Sequence, residues 1–328
     1  MRKIEQFSDD DLPPLLPLED KTEPLTKRSK RTERAEKKNK LKAKKPKPQH
    51  RHLLDLPYEL VLGILQFCRP SDIFNLGRVS REYHTVVTQD GDRLAKVICD
   101  FRYDCLQRCF QTPVLLKDVD PEVYPALHSM DRSELKMALK RPYQHVQPLD
   151  PNLICTCFIC ILRWTCLCII PDFAHWQNDL DAGEPIPMIP RGTHPEWNKE
   201  LVEKHAAIVR KALYSPLWHA RLLEEHLKST TRSISRHAAN KGNKRRRFRM
   251  TKEDIDSGTD QFLARSGPPT ADLPFIRDNY YMLEAFLPNR GWSSEGNRWN
   301  YVPKEQHDTD LNIAVAWAKW RAHNKART

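Results

Sequence analysis

Glycine is scarce in this chain, with ten residues in 328 against twenty-five prolines. Such a sequence seldom holds Gly-rich phosphate loops, and neither G-x-G-x-x-G nor G-x-x-x-x-G-K-[ST] occurs. H-E-x-x-H and G-x-S-x-G are missing as well. These absences remove the commonest legible enzyme classes. They do not by themselves exclude catalysis, although the expectation is that the protein is not an enzyme, with no catalytic residue and no cofactor. An apolar run long enough for a secretory signal is also lacking in MRKIEQFSDDDLPPLL. The compartment expected from this is nucleus, cytoplasm or both, where the nine cysteines stay reduced. Repeats at the periods of leucine-rich or WD-type arrays do not occur.

Net charge is missing from most of the chain. Lys27 to Arg51 holds thirteen Lys and Arg against Glu33 and Glu36, which accounts for the whole formal charge of +11. A neutral body with a basic arm differs from a basic domain that grips DNA with its folded face. Residues 1–50 begin acidic and proline-rich, then become this basic run. With so few apolar residues they read as a disordered tail. The run could serve as a nuclear import signal or a polyanion-binding arm.

Long hydrophobic stretches are limited to one. Leu153 to Ile170 reaches the lower edge of membrane-spanning length, but Arg163 lies near its centre. A central Arg costs roughly 2.5–3.5 kcal/mol on insertion scales. The segment reads as a buried core element, and no membrane partner is expected. Within it, Cys155, Cys157, Cys160, Cys166 and Cys168 form C-x-C-x2-C-x5-C-x-C. Zinc needs four convergent thiolate or imidazole ligands, and His175 could supply one. The intervening residues, Phe158, Ile159, Ile161, Leu162, Trp164 and Leu167, are core formers rather than polar turns. Core packing is preferred to zinc or a catalytic thiol, and no metal is expected.

The remaining pattern is mainly α. A helix is expected from the apolar stripe of Leu60, Ile64, Leu65 and Phe67, opened by Pro57. Ser71 and Ser80 read as N-caps of a second and a third helix, the third running towards Gln89 with Gly91 interrupting it. Further helices are expected over Asp131–Leu139, Glu196–Tyr214, Leu217–Leu227 and Asp308–Ala326, with Pro216 ending one and starting the next. Asp172 to Gly192 reads as an ordered loop. Residues 229–250 read as a polar basic linker, in which Ser229, Thr230, Thr231, Ser233 and Ser235 are possible phosphorylation sites. Lys241 to Arg249 could be a second import signal or a nucleic-acid contact. Trp292, Trp299, Trp317 and Trp320 are candidates for core or for a recognition pocket.

The stretch Leu53 to Val87, LLDLPYELVLGILQFCRPSDIFNLGRVSREYHTVV, closely resembles the F-box, particularly as found in fungal proteins. Leu56-Pro57, Glu59-Leu60, Ile64-Leu65, Pro70, Asp72, Leu76 and Val79-Ser80-Arg81 carry the resemblance. Cys68 departs from it, standing where the family commonly has Leu. The resemblance implies a three-helix module at residues 51–91 that docks on the Skp-type linker subunit of an SCF ubiquitin ligase and, through it, on a cullin. It also implies Leu56, Pro57, Leu60, Ile64 and Val79 as the contact residues. Residues 92–328 would then be a mainly helical C-terminal domain that holds an unknown protein substrate. Two other classes are open on the residues alone: a nuclear nucleic-acid-binding protein using the basic stretches, or an enzyme of unknown type with an F-box docking tag.

Overall fold

The computed structural model describes residues 30–43, 53–128, 144–190, 193–239, 250–265 and 285–325. The expected helix at Asp131–Leu139 and the basic run Lys241 to Arg249 lie outside the described residues, as does most of the N-terminal tail. The chain divides into two units, Met1–Leu56 and Pro57–Thr328.

The first unit contains helix α1 (Lys30–Ala43) and a 3-10 turn at Leu53–Asp55. A helix here differs from the expected structureless tail. Its residues explain it: Lys, Arg, Glu and Ala are good helix formers, and Glu33–Lys37 and Glu36–Lys40 stand at the favourable i,i+4 spacing.

The second unit opens with three helices, α2 (Tyr58–Leu65), α3 (Pro70–Leu76) and α4 (Arg81–Arg102). Pro57 caps α2 at φ −49°, an angle its ring imposes, and Pro70 occupies the first position of α3. Ser80 caps α4 by accepting from the Tyr83 N–H at 3.4 Å. Ser71 does not cap α3. It lies inside the helix, and the cap position belongs to Arg69. The break expected at Gly91 does not occur, and α4 runs unbroken for 22 residues. Gly91 is buried there, and a Cβ at that position would stand 3.8 Å from Leu217. The glycine marks close packing, not a stop.

Short helices α5 (Asp104–Cys109) and α6 (Tyr124–Leu127) lead to the central helix α7 (Phe158–Ala182). This is the apolar segment read as core. It is long and apolar enough to cross a membrane, yet most of it is buried within the protein. Trp164, Cys166, Leu167, Cys168, Ile169, Ile170 and Phe173 are all buried. The expected loop from Asp172 begins about three helical turns downstream, because α7 continues through Pro171 to Ala182. Burial of Phe173, Trp176 and Leu180 outweighs the hydrogen bond that proline removes. Gly183, at φ +80°, is the actual stop, and Glu184 N–H donates to the Asp179 carbonyl at 2.8 Å.

Helices α8 (Glu196–Tyr214) and α9 (Pro216–Ala239) pack on α7 and on each other. α8 has the expected limits, whereas α9 runs through the first half of the expected linker. Ser229, Thr230, Ser233 and Ile234 are buried in it, so these three small polar residues permit close packing and are not exposed modification sites, whereas Thr231 is half-buried and Ser235 exposed. Helix α10 (Lys252–Ser257), a two-stranded antiparallel hairpin of β1 (Arg290–Ser293) and β2 (Arg298–Tyr301), and helix α11 (Gln306–Lys325) complete the unit. In the hairpin Trp292 faces Trp299 with ring centroids 5.2 Å apart, and Arg290 stacks over Trp299 at 3.8 Å.

Candidate functional site

Helices α2 to α4 sort their apolar residues into two sets. Val61, Leu62, Leu65, Ile73 and Val86 are buried against the protein's own core. Leu60 is 56% exposed, Ile64 43% and Val79 72%. Pro57 is exposed, as are Tyr58 and, just beyond α2, Phe67. Leu60 and Ile64 stand four residues apart on α2, so they line one face. Tyr58 and Phe67 were not singled out as contact residues, although their aromatic character was visible. Leu56, the last residue of the first unit, is 39% exposed.

The opposite side of these helices is fixed to the rest of the second unit. Ser71 donates to the Glu224 carboxylate twice, from its backbone N–H at 2.9 Å and from its hydroxyl at 2.7 Å. Glu224 is buried on α9 and also pairs with Lys228 at 3.0 Å and Arg221 at 3.2 Å. Burial alone would raise the Glu224 carboxyl, but the bonds from Ser71 and Lys228 hold it below its ordinary value. Phe74 packs on Trp218 at 4.7 Å, and the Arg102 guanidinium donates to the Phe67 carbonyl at 2.6 Å. Tyr58 donates from its hydroxyl to Asp90, joining α2 to α4.

A second cluster lies at the N-terminus of α7. Cys155, Cys157, Cys160 and His307 place their sulfur and ring-nitrogen atoms within 4.8 Å of one another, and all four residues are buried. His307 Nδ1 is 3.4 Å from both Cys157 Sγ and Cys160 Sγ. Cys166 and Cys168 are buried farther along α7, as the core-packing reading expects, and His175 is not part of the cluster. No spacing signal points to His307, which lies 147 residues beyond Cys160.

Two contacts bring His307 there. The Asp310 carboxylate accepts from the Ile159 N–H at 2.7 Å, capping the start of α7 from the first turns of α11. Arg163, buried in α7, donates to Gln111 and to the carbonyls of Pro303 at 3.3 Å and Lys304 at 3.4 Å, just before α11. The charge that argued against a membrane helix is thus a clamp on the segment carrying His307.

A third group surrounds Cys105, which receives bonds from Arg290 at 3.2 Å and from the Tyr301 hydroxyl at 3.4 Å. A hydrogen bond from Cys109 lowers its thiol, burial opposes this, and Arg290 adds to the fall; the balance lies at about 7. Nearby Asp260 accepts from the Leu106 N–H at 2.7 Å, and burial, then Cys105, raise it to about 8. Both cysteines are fully inside the core.

Comparison with known families finds that residues 53–93 match the F-box domain. The segment is an F-box, the domain by which adaptors of SCF-type complexes bind Skp-type subunits; proteins that carry it are typically non-enzymatic. No curated protein and no solved structure matches the chain.

Proposed function

We propose, from the premise that this chain is an F-box protein, that it seats itself on a Skp-type linker and through it on a cullin, while its helical remainder holds a protein substrate for ubiquitination. Leu56, Pro57, Leu60, Ile64 and Val79 are the linker contacts. The observation that carries this reading is the division of apolar residues in α2 to α4. Val61, Leu62, Leu65, Ile73 and Val86 build the core, whereas Leu60 and Ile64 on α2 and Val79 in the turn before α4 remain exposed. Three short helices cannot cover that face themselves, and interface energy concentrates in a few such anchors.

The bonds from Ser71 to Glu224 join the docking helices firmly to α9, which suits an adaptor that must hold its cargo at a set distance from the ligase. On α11, Ile313 and Trp320 are exposed two helical turns apart and supply an apolar face for the substrate. Ubiquitin transfer itself belongs to other subunits of the ligase.

The test is co-purification of the full chain with the linker subunit, wild type beside Leu56→Ala with Pro57→Ala. The wild type should bring the linker with it, and the double variant should not while keeping its helical circular dichroism. Retained binding by a folded double variant contradicts the reading.

A further inference from the structure

We propose that Cys155, Cys157, Cys160 and His307 bind one zinc ion in a closed, four-ligand structural site. The proposal reverses the sequence expectation of core packing without metal, and it stands independently of the F-box reading.

A tetrahedral zinc with metal–sulfur bonds of about 2.3 Å and metal–nitrogen bonds of about 2.0–2.1 Å sets its sulfur and nitrogen ligands about 3.5 Å apart. The two distances from His307 Nδ1 to Cys157 and Cys160 are 3.4 Å. All four donor atoms fall within 4.8 Å, so one centre can reach them all. Three thiolates and one imidazole are the soft and borderline donors that select zinc over magnesium or calcium. Because the protein supplies all four ligands and buries them, no position is open to a substrate, and the ion would be structural rather than catalytic.

The surroundings fit the charge that such a centre carries. Three thiolates around a divalent ion leave one net negative charge. Backbone N–H groups already point at two of the sulfurs, Val114 to Cys160 and Cys157 to Cys155, each at 3.4 Å. These outer contacts orient ligands and stabilise charge on sulfur. Arg163, buried one turn beyond Cys160, supplies positive charge from the same side. Neutral thiols would gain little from the arrangement, since a thiol sulfur is a weak acceptor. On binding, the three thiol protons pass to solvent, and no electron is transferred.

The ion would fasten the N-terminus of α7 to the N-terminus of α11, two segments far apart in sequence. It would thereby hold the hairpin–α11 region, with exposed Ile313 and Trp320, against the core.

The full chain, purified without chelator, should contain one zinc per molecule by inductively coupled plasma mass spectrometry. Cys160→Ser and His307→Ala should each lose most of it, whereas Cys166→Ser, buried in α7 outside the cluster, should retain it. If the ligand variants fail to fold, cobalt(II) reconstitution of the wild type decides. Strong visible bands of tetrahedral, thiolate-bound cobalt support the site, and the weak spectrum of an octahedral ion overturns it. Wild-type protein with far less than one equivalent of zinc, with a different metal, or with zinc undiminished in both ligand variants also overturns it.

Discussion

Replacing Leu60 and Ile64 together by alanine separates binding from folding. Both lie on the outer face of α2, with 56% and 43% of their surface exposed. Burying a Leu or Ile side chain fully contributes roughly 1.5–3 kcal/mol, so the fractions left for a partner amount to about 0.8–1.7 and 0.6–1.3 kcal/mol. The double variant should therefore weaken the linker by about 1.5–3 kcal/mol, roughly 10- to 150-fold in Kd. Its melting temperature should fall less than that of the Leu65→Ala variant, because only about half of each side chain packs internally. Leu65→Ala is the counterpart. Leu65 is 1% exposed on the inner face of the same helix, and its truncation should cost about 2–5 kcal/mol of stability. Isothermal titration and thermal unfolding monitored by circular dichroism read the two effects. A double variant that binds like wild type, or that melts as early as Leu65→Ala, refutes the division of α2 into a docking face and a core face.

Three further outcomes are expected. Glu224→Ala leaves the Ser71 N–H and hydroxyl without their acceptor, so chemical denaturation should show a loss of about 2–4 kcal/mol; a change below about 0.5 kcal/mol means these bonds do not fasten the F-box helices to α9. Asp260 is raised from 3.8 to about 8, so the folded state binds its proton more tightly than the unfolded state does. The stability it contributes is present at low pH and is lost as pH rises from 3.8 to about 8. Asp260→Asn keeps an oxygen for the Leu106 N–H, so its stability relative to wild type should climb between pH 5 and pH 7, and a pH-independent difference contradicts the shift. Neutralising Lys37, Lys38, Lys44 and Lys45 should move a fluorescent fusion towards the cytoplasm, and an unchanged distribution rejects the basic run as an import signal.

The elements legible in the sequence were those whose signals are local. Pro57, Ser80 and the stripe of Leu60 and Ile64 announced the F-box helices, and Pro216 marked the end of α8 and the start of α9. The misread places are those where packing overrides a local breaker. Gly91 and Pro171 look like interruptions, yet α4 and α7 pass through them because the surrounding residues are buried. Ser229, Thr230 and Ser233 look like linker, yet their small size lets α9 approach its neighbours. The cysteine cluster was visible only in part. Its fourth member arrives through the Asp310 cap and the Arg163 clamp, tertiary contacts that leave no spacing signature in the chain.

The central claim is that the exposed face of α2 to α4 is a docking surface for a Skp-type linker. Isothermal titration of the purified full chain with the purified linker tests it most directly. The account predicts one-to-one binding with a negative heat-capacity change, the mark of apolar burial, and an affinity that changes little with added salt. Absence of binding by the folded wild-type chain contradicts it, as does binding that fades steeply with salt, which would move the contact to the basic arm.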